Sequence, residues 1–241
     1  MTFLNLIYPN RCPLCDELLS PKDTYVCGLC REKVNFLGEP RCCKCGRPIA
    51  AGDEEYCYAC AKKTNYFEEG FAPFAYGGSF VRSMMRFKYG HRAEYADFYA
   101  AAIWHYGREK LPKWNIQAVL PVPVHRIRRI RRGYNQADEI ARRLAEKLQV
   151  PDYYKSIHRI KNTRPQKNLN DLQRRHNMRN TFRFDADLRL PENILIVDDI
   201  FTTGSTVNTL AALAQHHGAK HVYFVTATIG SARESGRMKS V

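Results

Sequence analysis

The sequence predicts an α/β protein in two parts, a parallel sheet flanked by helices and, before it, a small cysteine-rich domain with two metal sites. Three observations predict this. All nine cysteines fall between positions 12 and 60. After position 118, short aliphatic runs alternate with segments of helical periodicity. The clearest of those runs ends in two aspartates followed by a Thr/Gly/Ser turn. The 241 residues suffice for one ordinary domain and a small companion, and 44% apolar with 26% charged residues is the balance of a folded chain. No stretch reaches the ~18 apolar residues of a membrane helix. Met1–Pro9 lacks a basic lead-in and a small-residue cleavage site, so neither a span nor a secretory signal is expected, and the expected location is cytoplasmic.

The cysteines form a repeat. Cys12-x2-Cys15-x11-Cys27-x2-Cys30 recurs as Cys42-x2-Cys45-x11-Cys57-x2-Cys60, offset by 30 at all four positions. Each Cys-x2-Cys turn puts two sulfurs on one side of a metal, and a second turn completes a tetrahedron. The segment therefore reads as a double zinc ribbon over residues 1–65 with two structural Zn²⁺. Four thiolates leave no open position for a catalytic water. The spacing alone also permits a cross-braced arrangement in which knuckles one and three share a metal. Cys43 is left over, a spare thiol or an alternative ligand beside Cys42. With few aliphatic side chains, the ribbon depends on metal for much of its folding free energy.

Residues 66–241 form the second domain. Phe80, Val81, Met84, Met85 and Phe87 have helical spacing, and Glu94–Tyr106 continues similarly. Ala118–Val124 reads as a strand ended by prolines. Ile140, Leu144 and Leu148 mark a helix over Asn135–Leu148, and Ser156–Ile160 reads as a strand. Asn193–Val197 is a buried strand, Ser205–His217 a helix closed by Gly218, and Val222–Ala227 a last strand. Strand, helix and strand in this rhythm imply parallel pairing with right-handed crossovers.

The candidate ligand site is Ile194-Leu-Ile-Val-Asp198-Asp199-Ile-Phe-Thr202-Thr203-Gly204-Ser205-Thr206. Open α/β sheets bind ligands at the carboxyl ends of their strands. A hydroxyl-rich turn opening a helix offers backbone N–H groups and the positive helix end to a phosphate. Adjacent carboxylates suit vicinal hydroxyls. The stretch therefore fits a ribose 5-phosphate, with Asp198 and Asp199 on the sugar and Thr202, Thr203, Gly204, Ser205 and Thr206 on the 5-phosphate. It contains neither a Walker Gly-Lys-Ser/Thr nor a Gly-x-Gly-x-x-Gly fingerprint.

These 13 residues resemble the phosphoribosyl diphosphate (PRPP) motif of type I phosphoribosyltransferases. Pro121-Val-Pro123, Arg132-Gly-Tyr-Asn-Gln136, Thr163-x2-Gln166-x2-Leu169-x4-Arg174-x2-Asn177 and the cysteine ribbons are similar to the ComF/GntX branch of that family, and Phe87-Lys88-Tyr89-Gly90 resembles its hood. The resemblance implies a type I phosphoribosyltransferase fold with a hood over about 66–110. It makes Val122, Pro123, Val124, His125 and Arg126 the pyrophosphate loop, with Arg132 as a nearby cation. It puts Arg164, Gln166 and Lys167 on a flexible catalytic loop closing over PRPP, with Mg²⁺ arriving on the ligand. The acceptor is left undefined.

Residues 125–183 hold 17 Lys/Arg against five Asp/Glu, most of the chain's net charge of +14. Such a field steers a small polyanion. Arg126–Arg132 carries more charge than one diphosphate needs. Arg128, Arg129 and Arg131, with Tyr134 for stacking, are therefore also candidates for single-stranded DNA. Three functions stay open at this stage: a phosphoribosyltransferase; a DNA-uptake protein of natural transformation that binds single-stranded DNA and the uptake machinery, as the ComF resemblance implies; and a PRPP-sensing adaptor without turnover.

Overall fold

A computed structural model describes residues 10–50, 55–160 and 181–230. In chain order its elements are the short helices α1 (Gly28–Arg31) and α2 (Tyr58–Ala61), strands β1 (Glu69–Phe71) and β2 (Phe74–Ala75), and helices α3 (Gly78–Tyr89) and α4 (Tyr95–Tyr106). Strand β3 (Ala118–Pro121), helices α5 (Arg126–Arg132) and α6 (Gln136–Leu148), and strands β4 (Ile157–Arg159), β5 (Phe182–Phe184) and β6 (Asn193–Phe201) follow. Helix α7 (Ser205–His216) and strand β7 (His221–Ile229) complete the set.

The main sheet has the order β1-β7-β6-β3, with β2 pairing β7 beyond β1, and every pairing in it is parallel. Aliphatic side chains alternate across β6 and β7, as a period of two requires. Leu195, Val197, Val225 and Ala227 join one core layer with Phe87, Tyr99, Ile103, Ile140 and Leu144 from α3, α4 and α6. Ile194, Ile196, Val222 and Phe224 join the other with Val207, Leu210, Ala211 and Ala214 of α7. Burial on both faces is why these strands read as continuous aliphatic runs. Asn135 caps α6, its Oδ1 accepting from the Ala137 N–H. No helix among the described residues is long and apolar enough to cross a membrane.

Several boundaries differ from the sequence reading. β6 continues through both aspartates to Phe201 because β7 keeps pairing with it, Asp198 opposite Thr226 and Phe201 opposite Ile229. β4 lies where expected but pairs antiparallel with β5 in a separate two-stranded sheet. The segment expected to open the hood instead supplies β1 and β2 to the sheet edge.

The ribbons pack against the sheet rather than standing apart from it. Cys12, Leu14 and Val26 share the first core layer, and Cys42, Cys45 and Cys57 the second. The Gly70 N–H donates to the Lys44 carbonyl at 3.0 Å, which seats the second ribbon on β1. Gly46, at φ +70°, sits so close that a Cβ there would lie 2.8 Å from the Gly70 carbonyl oxygen. Gly70 is equally crowded from the other side, where an added Cβ would meet the Phe224 ring at 2.2 Å. Gly70→Ala is therefore expected to destabilise the chain by about 1–3 kcal/mol through overpacking. Gly38→Ala, with nothing within 4 Å, should stay within about 0.5 kcal/mol of wild type. Equilibrium urea unfolding of the two variants checks this; equal stabilities would mean the sheet edge yields without cost.

Candidate functional site

Two four-cysteine clusters stand beside the sheet. Cys12, Cys15, Cys27 and Cys30 bring their sulfurs within 4.8 Å of one another, and so do Cys42, Cys45, Cys57 and Cys60. Each cage uses consecutive knuckles, which answers the cross-bracing alternative. Cys15 and Cys27 lie 3.7 Å apart, as do Cys45 and Cys57. Zn–S bonds of about 2.3 Å in a tetrahedron require about 3.8 Å between sulfurs, so the cages fit zinc. The duplication holds at the backbone. The N–H of Cys12 donates to the Glu17 carbonyl and that of Cys42 to the Arg47 carbonyl, both at 2.8 Å, and Asp16 and Gly46 both have φ +70°. Cys43 is exposed and belongs to neither cage.

The acid pair lies at the carboxyl end of β6, beside the amino end of α7. The Asp199 N–H donates to Asp198 Oδ1 at 2.8 Å. Burial, together with the charge of Asp199, pushes the Asp198 carboxyl up to about 8, against the pull of that N–H, Lys88 and Arg159. Asp199 Oδ2 is 2.7 Å from Lys88 Nζ on α3. The turn that follows needs a left-handed residue, and Gly204 at φ +75° supplies it. Thr203 Oγ1 and Ser205 Oγ lie 2.9 Å apart at the mouth of α7. The Ser205 N–H donates to Thr203 Oγ1 at 3.4 Å, so hydroxyls and the amino end of a helix follow the two carboxylates directly in the chain.

The loop after β3 approaches the same end of the sheet. The Val122 N–H donates to the Val197 carbonyl at 2.9 Å. Asn135 Nδ2 donates to the Val122 carbonyl at 3.0 Å, tying the loop to α6. Val122 and Pro123 are buried, Val124 and His125 half-buried, and His125 caps α5 by accepting from the Ile127 N–H. Arg126, Arg128, Arg129 and Arg131 are exposed on α5, whereas Arg132 is buried. The Arg132 guanidinium donates to Gln136 Oε1 at 2.8 Å and to the Tyr89 hydroxyl at 3.2 Å, and this contact lowers the Tyr89 pKa. Tyr134 is half-buried and gives its hydroxyl to the Phe87 carbonyl at 2.5 Å. Gln136 Nε2 donates to the same carbonyl at 2.9 Å. Arg164, Gln166 and Lys167 lie outside the described residues.

Three separate sequence blocks therefore meet at Phe87–Tyr89: the hood itself, Arg132–Gln136 and the acid pair. Sequence reasoning picked out all three blocks but assigned no role to Lys88. The first ribbon braces this hood. Asp16 accepts from the Tyr95 hydroxyl at 2.5 Å and lies 3.3 Å from Arg92 Nε and 3.8 Å from Arg86 Nε. Partial burial raises the Asp16 pKa, but that hydroxyl and the guanidinium charges of Arg92, Arg86 and Arg11 outweigh it and hold the carboxyl below its usual range.

Residues 3–61 match the family model described as "Double zinc ribbon domain". The chain is similar to Competence protein F of Haemophilus influenzae, 35% identical over 119 residues, 47% of this chain and 48% of that protein. It is also similar to DNA utilization protein YhgH of Escherichia coli O157:H7, 36% identical over 104 residues, 43% of this chain and 45% of that protein. The chain spans about half the length of the curated relatives it matches. The ComF resemblance read from the sequence is thereby borne out. Similar solved structures include a purine phosphoribosyltransferase from Pyrococcus horikoshii Ot3 (15% identity, TM-score 0.34, 56% of this chain and 85% of that one). An orotate phosphoribosyltransferase from Aeropyrum pernix is another (17% identity, TM-score 0.35, 60% of this chain and 67% of that one). Those likenesses cover only part of this chain.

The cages predict a metal count. Purified under reducing conditions, the chain should carry two zinc ions, one for each four-cysteine cluster. Cys43→Ser should keep both, while Cys15→Ser or Cys45→Ser should each lose one. Elemental analysis of desalted protein measures this, and loss of metal from Cys43→Ser would redraw the ligand set.

Proposed function

We propose that this chain, with ComF-type competence and DNA-utilization proteins as its curated relatives, binds PRPP with Mg²⁺ and serves DNA uptake as a phosphoribosyltransferase-like protein. One observation carries the reading. The central strand delivers two carboxylates and, directly after them, a left-handed glycine turn with paired hydroxyls at a helix amino end. That is the order in which ribose hydroxyls and a 5-phosphate occur along one small ligand.

In this reading Asp198 and Asp199 accept from the ribose hydroxyls, and Thr202–Thr206 hold the 5-phosphate. The ligand displaces Lys88 from Asp199 and leaves that ammonium near the diphosphate. Among the described residues from β6 to the turn, Asp198 and Asp199 are the only carboxylates, and Lys88 already engages the second. This fits a Mg²⁺ brought in on phosphate oxygens better than one held in a protein cage. The loop Val122–Arg126 faces the pyrophosphate, and Arg164, Gln166 and Lys167 are the proposed catalytic residues. Transfer breaks the bond from ribose C1 to the pyrophosphate oxygen, which leaves with the electron pair, as C1 bonds to the acceptor's nucleophile. Basic groups around the leaving pyrophosphate stabilise its charge.

Calorimetric titration of PRPP with Mg²⁺ tests the site. Wild type should bind, and Asp198→Asn/Asp199→Asn should bind at least about tenfold more weakly, having lost charge-assisted hydrogen bonds. Absence of binding by folded, zinc-loaded wild type would end this reading.

A second reading has its own observation. α5 exposes Arg126, Arg128, Arg129 and Arg131, together with Ile127 and Ile130 at 61% and 73% exposure. Of these arginines, Arg129 lies 3.4 Å from Asp138 at its nearest carboxylate. Single-stranded DNA fits such a helix through its phosphates. Arg128→Ala/Arg129→Ala should lower the slope of log affinity against log salt by about 1.4, or 0.7 per lost phosphate contact. Fluorescence anisotropy with a labelled oligonucleotide measures the slope, and an unchanged slope would remove α5 from the interface.

A further inference from the structure

The second ribbon reaches the phosphate turn with one side chain. Arg47 follows Cys45 by two positions, is only 6% exposed, and donates from Nη2 to the Thr202 carbonyl, 155 residues further along the chain. Its guanidinium carbon stands 5.9 Å from the centre of the Phe201 ring. Its Nε is buried and makes no hydrogen bond among the described residues. A buried, incompletely satisfied guanidinium is costly to a fold.

The ribbon itself does not require this arginine. The equivalent position in the first ribbon is Glu17, and the two residues play the same backbone part, each carbonyl accepting from the first cysteine of its knuckle at 2.8 Å. The ribbon thus folds with either side chain, and what distinguishes Arg47 is its contact with Thr202. From these observations we infer that Arg47 is a positioning residue that shapes the turn for a phosphate, which rests on the phosphate reading of that turn.

The mechanism follows from peptide geometry. In a trans peptide the C=O and the next N–H point in opposite directions. Holding the Thr202 carbonyl on Arg47 therefore turns the Thr203 N–H away from the ribbon. Left free, the same peptide could rotate its carbonyl toward the ligand and set a negative dipole against the phosphate. The guanidinium also fixes a positive charge behind the turn, in an enclosed setting where water screens it weakly. Phe201 lies against the turn so closely that a Cβ at Gly204 would stand 2.7 Å from its ring, leaving room there for glycine alone.

The test uses the full zinc-loaded chain and two variants, Arg47→Met, which removes the charge, and Arg47→Lys, which keeps charge but loses the planar fork. Both should retain two zinc ions. Without ligand, hydrogen exchange across residues 201–206 should quicken in Arg47→Met while exchange in Ile194–Val197 stays as in wild type. Ribose 5-phosphate, titrated calorimetrically, should bind Arg47→Met about tenfold more weakly, as loss of a charged hydrogen bond implies, with Arg47→Lys between. Pyrophosphate, which does not use this turn, should bind all three proteins alike. Wild type that binds no ribose 5-phosphate would refute the phosphate reading. Wild type and zinc-loaded Arg47→Met binding it equally would refute only the assignment of Arg47. Equal losses for both ligands would also overturn it, since a general loosening would then be the cause.

Discussion

The parallel ladder between β6 and β7 is the constraint from which the rest of the molecule follows. It runs from Asn193 opposite His221 to Phe201 opposite Ile229, and both faces of its aliphatic half are covered. Helices must therefore lie on both sides. The hood helices and α6 occupy one face and α7 the other, because only apolar stripes can satisfy those side chains. The same ladder places the two aspartates. They fall where aliphatic side chains give out and the backbone is still paired, so their position is fixed by main-chain hydrogen bonds rather than by a mobile loop.

Once the acids are fixed there, everything at that end of the sheet is arranged around negative charge. Lys88 meets Asp199, and the Phe87 carbonyl behind it is held by Tyr134 and Gln136. Arg132 packs its guanidinium against the Tyr89 ring, 5.0 Å from its centre. The first ribbon braces the hood through Asp16, and the second reaches the turn through Arg47. Two copies of one metal-closed unit have thus taken charges of opposite sign to two different parts of the site.

Much of this was legible in the sequence, and the remainder was hidden for physical reasons. The cysteine repeat declared eight ligands for two metals because metal ligation needs a fixed spacing along the chain, while their grouping into cages came only with the fold. β6, α6 and α7 declared themselves by period, as long amphipathic or fully buried elements do. β1, β2 and β5 are two or three residues long, too short for any period, so their pairings were invisible. Lys88 lay inside a block that was noticed, but its partner Asp199 is more than a hundred positions away. Arg47 looked like one more cation in a basic chain. Its distinction is the contact with Thr202, and contacts between distant segments leave no local pattern. Tyr134, an aromatic beside arginines, gave no hint in the sequence that its hydroxyl reaches the Phe87 carbonyl 47 positions away.

The seat of the second ribbon on β1 has one more consequence. A parallel sheet ends in two edges, and each exposes unpaired N–H and C=O groups on which a foreign strand can grow. Here the β1 edge is taken by the Lys44 carbonyl, with the Leu37 N–H bound to Pro73 just beyond it. The β3 edge is taken at Val119 by Pro151 and Tyr153. Segments of the chain itself thus stand where an intruding strand would begin. A molecule stripped of metal in the second cage would uncover the β1 edge, so the cysteines that shape the ribbon also guard the sheet against self-association.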